Sequence, residues 1–294
     1  MLFLASNSKA QIAIDTINLP EVKLVESRLG TNSIGNNINT INIESLDEGS
    51  SVDLANLIGS SSVYVKQYGA LATPTFRGSS SSHTLVLWNG MPINSIANGL
   101  ADLSGIFCYG FSDIVIVNGG EGSLFGSGAI GGSIHLNSLI EEDEANKLSI
   151  SSTKGSYGLS SQSLQFYLKK GKLVANGGFN YLKHDNDFEY FNSTQFGNPL
   201  TVNENGKIKS NSQNLNLLYN LNKNTNFKFC SWFSDLEREV PQNMTVFNSD
   251  AKQYDAFKRL LFSLKHKRDL ISINLKQAYL KEDFRYTEDL KNID

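Results

Sequence analysis

The sequence predicts an α+β N-terminal domain followed by long antiparallel strands, and three observations carry that reading. Short strands and glycine turns alternate up to about residue 138, with one helix-like piece among them. An acidic run at 141–144 then interrupts the pattern. Beyond it, polar and apolar residues alternate with a period of two over long stretches. The chain has 294 residues, 24 glycines, 5 prolines and a formal charge of −3. That charge excludes a broad nucleic-acid surface. No stretch approaches the roughly 18 apolar residues of a spanning helix, although barrel strands hide their apolar residues by alternation.

The elements follow in order. Met1-Leu2-Phe3-Leu4-Ala5 is apolar, and Ser8 and Ala10 place small residues before Gln11. Residues 1–10 therefore read as a signal-peptide remnant cut before Gln11, against the alternative of a chance apolar start. Residues 11–24 form a polar-apolar lead. The first domain occupies 25–140, with strands expected at 38–43, 63–66, 84–88, 114–117 and 133–137. A helix is expected over 51–58, capped by Ser50 or Ser51 and stopped at Gly59. The second domain, 141–294, follows the acidic linker. Cys108 and Cys230 are isolated, in no disulfide framework or metal motif, and Cys230 reads as a small buried residue.

In the second domain, Leu215, Leu217, Tyr219 and Leu221 share one face, and Asn214, Asn216, Leu218, Asn220 and Asn222 the other. The same rule fits Leu164/Phe166/Leu168, Phe227/Phe229/Phe233, Leu260/Phe262/Leu264 and Ile271/Ile273/Leu275/Tyr279. Turn-like pairs such as Lys170-Gly171 and Arg268-Asp269 separate them, and a long polar connection runs from about 185 to 212. Two architectures take such hairpins. A soluble sandwich buries the apolar face against a second sheet. An outer-membrane barrel turns it to lipid.

Gly126-x-Gly128-x-x-Gly131 has dinucleotide-loop spacing, but its flank does not fit. Such a loop opens a helix, whereas Ser133-Ile134-His135-Leu136-Asn137 alternates as a strand. The glycines therefore read as a tight turn between strands. No Gly-x-Ser-x-Gly elbow is present, and no enzyme chemistry is expected. His83 reads as a structural histidine. Asp185-Asn186-Asp187 hints weakly at Ca²⁺ in an outer loop, without an EF-hand continuation; no other cofactor and no metal site is expected.

"VYVKQYGALATPTFRGSSSSHTLVLWNGMPIN" (63–94) resembles the plug domain of TonB-dependent outer-membrane receptors, above all the cobalamin receptor type. The residues that carry the likeness are Arg77-Gly78, the strand ending at Trp88, the turn Asn89-Gly90, and Ile93-Asn94. "GFSDIVIVNGGEGSLFGSGAIGGSIHLNS" (110–138) is similar to the family's closing plug motif, with Gly126, Gly128, Gly131 and Gly132 in its turn. Asp15-Thr16-Ile17-Asn18-Leu19 resembles the energy-coupling box. The chain departs from the pattern where an acidic residue is usual and Asn89 stands. The usual Glu-Val and Arg-Gly-Pro also appear as Val115-Ile116 and Asn118-Gly119-Gly120.

The resemblance implies an α+β plug domain followed by antiparallel transmembrane β-barrel strands. The family's barrel has about 22 strands. At about ten residues per strand, residues 141–294 supply roughly six to eight, so the barrel is incomplete and the chain reads as a fragment or truncated gene product. The implied function is import of a scarce, large, cobalamin-like ligand, with siderophore or oligosaccharide import as alternatives. The implied setting is the Gram-negative outer membrane with its lipid, the plug facing the periplasm, and TonB as energy-coupling partner. Ligand contact is expected at the plug apices Gln67, Tyr68, Leu71, Ser95, Ala97 and Asn98. Arg77 is expected to be buried, with a partner on the barrel wall. A secreted β-sandwich adhesion protein, or a non-functional truncated product, is the alternative of another class.

Overall fold

A computed structural model describes residues 37–43, 53–59, 61–68, 71–96, 98–108, 110–138, 145–241, 250–268 and 270–288. The expected signal peptide, the coupling box Asp15–Leu19, Ala97 and the acidic run at 141–144 lie outside them.

The first domain is built on a five-stranded mixed sheet in the order β1-β6-β7-β4-β5. Its strands are β1 (Asn37–Asn42), β4 (Thr84–Trp88), β5 (Met91–Pro92), β6 (Asp113–Asn118) and β7 (Gly132–Asn137). β4 and β7 run parallel, and the other pairs antiparallel. β4, β6 and β7 are buried at every residue, as near-continuous apolar runs such as Ile114-Val115-Ile116-Val117 require when both sheet faces are covered. Ile114, Ile116, Ile134, Leu136, Val86 and Trp88 enter the main core on one face. Val115 and Val117 on the other face pack with Ile38 and Phe125.

The remaining elements fill in around this sheet. Helix α1 (Leu54–Gly59) buries Leu54, Ala55 and Ile58. Its cap is Asp53, whose Oδ1 accepts the Asn56 amide at 2.7 Å; the expected caps Ser50 and Ser51 lie outside the described residues. A carboxylate at that position satisfies a first-turn donor and complements the helix dipole. A separate hairpin joins β2 (Tyr64–Tyr68) to β3 (Leu71–Thr75), so Leu71 opens a strand where sequence predicts a loop.

Arg77 is exposed against the seven wall strands present. Arg77 and Gly78 both have positive φ, 48° and 76°, and the Ser79 amide returns to the Phe76 carbonyl at 2.8 Å. This type I′-like turn accounts for Gly78; its first central position favours Asn, Asp or Gly, so the backbone does not select Arg77. Asn89-Gly90 repeats the geometry at the β4–β5 turn, with φ of 49° and 83°.

The Gly126–Gly132 bend links a single turn of helix, α2 (Gly122–Phe125), to β7. A Cβ on Gly132 would stand 2.7 Å from both the Phe76 ring and the Val117 carbonyl oxygen, and one on Gly131 3.1 Å from the His83 carbonyl oxygen. Close backbone approach is therefore the reason for these two glycines.

The second domain is a seven-stranded antiparallel sheet in the order β16-β15-β14-β13-β10-β9-β8. It comprises β8 (Lys147–Lys154), β9 (Ser160–Lys170), β10 (Leu173–His184), β13 (Ile208–Asn222), β14 (Thr225–Glu239), β15 (Lys252–Arg268) and β16 (Ile271–Thr287). A small ribbon, β11 (Glu189–Phe191) with β12 (Leu200–Val202), stands in the long connection after β10. Short connections at 171–172, 223–224 and 269–270 alternate with longer ones at 155–159, 185–207 and 240–251. Barrels place such short turns on the periplasmic rim and long loops on the outer one.

The two faces of this sheet differ in kind. Register aligns Leu173, Tyr219, Phe227, Leu264 and Leu275 in one row across five strands. Leu173, Tyr219 and Leu275 are exposed. On the opposite face Ser163, Asn180, Ser212 and Ser234 form an equally continuous row, and all four are buried. The buried face carries the first domain: Cys230, Trp232 and Leu261 belong to the same core as Trp88, Ile93 and Phe111. An apolar face outward and a polar face against a globular insert is the barrel solution and not the sandwich. Among the described residues no helix is long and apolar enough to cross a membrane.

These contacts rank two glycine substitutions. Gly132→Ala should cost about 1–3 kcal/mol through overpacking against backbone and ring. Gly122→Ala, where nothing lies within 4 Å of the added Cβ and φ is not positive, should change stability by at most a few tenths. Urea midpoints of the full chain, followed by tryptophan fluorescence, should show that order.

Candidate functional site

The chemistry of this chain concentrates where the first domain meets the wall. Arg238, on the inner face near the long-loop end of β14, is almost fully buried. Its Nη2 donates to Asp102 Oδ2 at 2.6 Å and to Asp255 Oδ2 at 3.2 Å, and its Nη1 to Ser104 Oγ at 2.9 Å. A guanidinium forks between carboxylates in this way without losing its charge. Asp102 also accepts the amides of Ala72, at 3.1 Å, and Ser104, at 3.0 Å. One carboxylate thus joins β3, the segment after the 95–99 loop, and the wall.

Ten residues earlier on β14, about 33 Å of strand, Lys228 reaches the first domain at its opposite end. Its Nζ donates to the Ser138 carbonyl and, at 3.3 Å, to Asn89 Oδ1. Lys276 on β16 donates to the Asn89 carbonyl at 3.1 Å. Asn89 Oδ1 accepts the Ser138 amide as well, at 3.0 Å. The residue that replaces the family's usual acid therefore sits at the hub of the second attachment. Between the two ends lies an aromatic contact. Trp232 meets Trp88 at 6.0 Å, Phe111 at 5.3 Å and Phe257 at 4.7 Å between ring centroids. Arg259 stacks over Phe257 and Trp232, and pairs with Glu282 at 3.2 Å.

The expected apical residues divide. Gln67 and Asn98 are exposed, while Leu71 and Ser95 are half-buried. Gln67, Tyr68 and Leu71 flank the β2–β3 turn, where Gln67 pairs with Ala72 and Tyr68 with Leu71. Ser95 and Asn98 belong to a loop closed by Gly99 N to Ser95 O at 2.8 Å and Leu100 N to Asn98 Oδ1 at 3.0 Å. Asn94 pins this loop, donating to the carbonyls of Thr84 and Gly99 at 2.9 Å each. Leu103 N bonds to Ala72 O at 2.8 Å, so both segments converge on Asp102.

Four further groups bear polar or titratable side chains. Ser133, His135 and Glu121 form a buried polar cluster on the plug sheet. Ser133 Oγ contacts Glu121 Oε2, and also lies 2.8 Å from His135 Nε2, itself 3.3 Å from Glu121 Oε2. A hydrolytic triad places its acid on Nδ1 and opens the serine to solvent. Here serine and acid share Nε2, and the side chains of His135 and Glu121 are sealed from solvent. Glu121 brings a carboxylate to His135 where its register partner, Val115, has none. His83 is exposed, and its carbonyl accepts the Gly131 amide at 2.9 Å.

In the long connection after β10, Asp185 pairs with Lys183 at 3.3 Å. Asn186 donates to the Gly206 carbonyl at 2.8 Å. No cluster of three metal-ligating residues occurs among the described residues. Cys108 and Cys230 are buried free thiols, and burial with the nearby Asp53 charge pushes the Cys108 thiol up to about 12.

Sequence reasoning missed Arg238 and Asp102. The available signal was alternation carried one strand further: Asp235 and Glu237 face outward, so Arg238 must face inward.

Comparison with known proteins places these features. Residues 30–133 match the TonB-dependent Receptor Plug Domain family. A vitamin B12 transporter, BtuB of Vibrio vulnificus (strain YJ016), is 41% identical over 71 residues, 24% of this chain and 12% of that protein. The match thus spans about an eighth of the curated relative. The solved structure of the copper transporter OprC superposes with a TM-score of 0.64 at 16% identity, covering 83% of this chain and 37% of that one. The ferric-catecholate import receptor Fiu from E. coli K12 gives 0.67 at 10% identity, with 86% and 39% coverage. The fold is that of a plug on a receptor barrel wall.

Two predictions follow from the attachment. Arg238→Ala leaves Asp102 and Asp255 close together without their cation, and should cost about 3–5 kcal/mol. Hydrogen exchange at residues 98–104 should rise with it, and the double variant Arg238→Met/Asp102→Leu should recover part of the loss.

The second concerns pH. Burial raises the Asp113 carboxyl above 3.8, opposed by hydrogen bonds from Asn137 and Ser112 and by the Lys228 charge. The folded state then holds this proton to higher pH than the unfolded state, so its contribution to stability falls as pH rises from 3.8 through the folded value. Asp113→Asn should flatten that slope in urea titrations across pH 3.5 to 7, and should leave stability at the acid end unchanged.

Proposed function

Because residues 30–133 are a TonB-dependent receptor plug domain seated on a barrel wall, we propose that the protein works as an energised outer-membrane importer of a scarce, large, cobalamin-like ligand. The observation that carries this reading is the buried attachment of Asp102 to Arg238. It ties the plug segments bearing the expected apical residues to a wall whose other face is apolar. The likeness to a vitamin B12 transporter supports the cobalamin class.

In this reading ligand arrives at the long-loop rim and meets Gln67, Tyr68, Leu71, Ser95, Ala97 and Asn98. Tyr68 and Leu71 offer apolar contact, and Gln67 and Asn98 offer hydrogen bonds to an amide-rich ligand. Asp15–Leu19 would add a strand to TonB, main chain to main chain, on the periplasmic side. The proton-motive force of the inner membrane would then supply the work that shifts the plug. An open seven-stranded sheet leaves unpaired edges at β8 and β16, and edges in lipid are costly. The working cylinder therefore requires further strands. A Ca²⁺ ion near Asp185 and Asp187 would be an accessory of the outer loop. No step of this transport requires covalent chemistry.

Equilibrium titration of cobalamin into the complete receptor tests the proposal. We expect a Kd at or below about 1 µM, which is roughly 8 kcal/mol, weakened at least several-fold by Gln67→Ala with Asn98→Ala. Absence of cobalamin binding together with tight binding of a ferric siderophore would move the protein to the siderophore class. Binding of neither, by a chain that stays soluble without detergent, would overturn transport altogether.

A further inference from the structure

Three donors converge on the two carbonyl groups of Asn89, and two of them carry charge. The side-chain Oδ1 accepts the Ser138 amide at 3.0 Å and the Lys228 ammonium at 3.3 Å. The main-chain oxygen, which belongs to the Asn89–Gly90 peptide, accepts the Lys276 ammonium at 3.1 Å. Lys228 and Lys276 reach Asn89 from the two strands that flank Ser263. An ammonium pairs more weakly with a neutral amide than with a carboxylate, so two cations stand here around a group that does not answer their charge. Asp113 is close enough for its charge to act on Lys228, but its own hydrogen bonds come from Asn137 at 2.7 Å and Ser112 at 3.3 Å. The residue after Asn89 is glycine, with no Cβ to shield its nitrogen. Gly90 is half-buried, so water can reach the turn.

We propose that Asn89 is a site of self-catalysed deamidation. Lys276 withdraws electron density from the Asn89–Gly90 peptide and eases loss of the Gly90 amide proton. The Gly90 nitrogen attacks Asn89 Cγ, and a five-membered imide forms. Negative charge developing on Oδ1 is met by the Ser138 amide and Lys228, in the manner of an oxyanion hole. The side-chain nitrogen leaves as ammonia, carrying the proton lost by Gly90. Water then adds at Cγ, the bond from Cγ to the Gly90 nitrogen breaks, and Gly90 regains its hydrogen. One water is consumed and one ammonia released, and a carboxylate replaces the amide. That carboxylate lies between two ammoniums, so the reaction is a one-way strengthening of this end's hold on the wall. Two other Asn-Gly pairs of the first domain carry neutral donors instead. Asn98 Oδ1 accepts the Leu100 amide at 3.0 Å, and Asn118 Oδ1 the Ser62 hydroxyl at 3.0 Å.

Peptide mapping of the full chain by mass spectrometry, after incubation at neutral pH in heavy-oxygen water, tests the site. Asn89 should become the acid with uptake of heavy oxygen, at least about tenfold faster in the folded chain than in urea. Asn98 should show the opposite order, because a folded main chain restrains the approach of nitrogen to Cγ. Lys228→Gln/Lys276→Gln should slow conversion at Asn89 by a similar factor and leave Asn98 unchanged. Acid already present at Asn89 on purification, and absent from the double variant, counts as conversion. The comparison of folded and urea-treated chain needs no variant, so it decides even where the double variant does not fold. An Asn89 that keeps its amide while Asn98 converts, that converts faster in urea, or that converts at an undiminished rate in the folded double variant would overturn the assignment.

Discussion

The constraint on which the rest of the structure depends is the period of two in a β-strand. Successive side chains must point to opposite faces, so a strand that is Leu-Asn-Leu-Asn cannot bury both kinds of residue in the same place. Strands β13 to β16 obey this over 15 to 17 residues each. Their registers align a row of apolar residues across the outer face, while the inner face mixes serine and asparagine with Cys230, Trp232, Phe257 and Leu261. Once the apolar face is turned outward, the polar face meets part of its hydrogen bonding within itself, Asn216 donating to Asn176 Oδ1 at 2.9 Å and Trp232 to Ser212 Oγ at 3.2 Å. The plug supplies more: Gly110 offers its carbonyl to Asn216 at 3.3 Å, and Ser138 and Asn89 receive Lys228.

The character of those contacts matters as much as their number. Most of the wall's plug-facing row is serine and asparagine, side chains that pair weakly and exchange readily with water. Against this background the Arg238 cluster stands apart, because a buried guanidinium stripped of its carboxylates would be far more costly than a serine stripped of its partner. Attachment is therefore uneven: a charged fastening at Arg238 beside the 95–99 loop, an apolar contact of Trp232 with Trp88 and Phe111 in the middle, and a third fastening on Asn89 and Ser138 at the other end.

How much of this was legible in the sequence depended on whether a feature was local. Alternation is local, and it showed the wall strands and which of their residues share a face, while leaving open whether the apolar face meets lipid or a second sheet. The glycine turn was equally readable, since Ser133 to Asn137 alternates as a strand and so denied the nucleotide-loop reading. The Arg238–Asp102 contact spans 136 positions, and no periodicity reports a partner at that separation. Asp53 was passed over as a cap because serines preceded it, although a carboxylate caps equally well and lay closer to the first buried helical residue, Leu54.

The buried cluster on β7 shows how a chain can depart from its family's pattern without losing the underlying constraint. His135 lies in the sheet interior, where an unpartnered imidazole nitrogen is expensive. Its register neighbour Val115 cannot help it. Glu121, at the head of the short helix that opens the glycine bend, folds its carboxylate in to contact Ser133 and His135. Serine has one proton to give, and the carboxylate can only accept, so the hydroxyl donates to Glu121. The serine oxygen is then left to accept from His135, which places a proton on Nε2. That order leaves Nδ1 as the one unsatisfied atom of the ring, under the Phe125 edge at 5.1 Å between ring centroids. The polar thread thus fastens the glycine bend to the central sheet from within, and the bend's position follows from His135 as much as from its glycines.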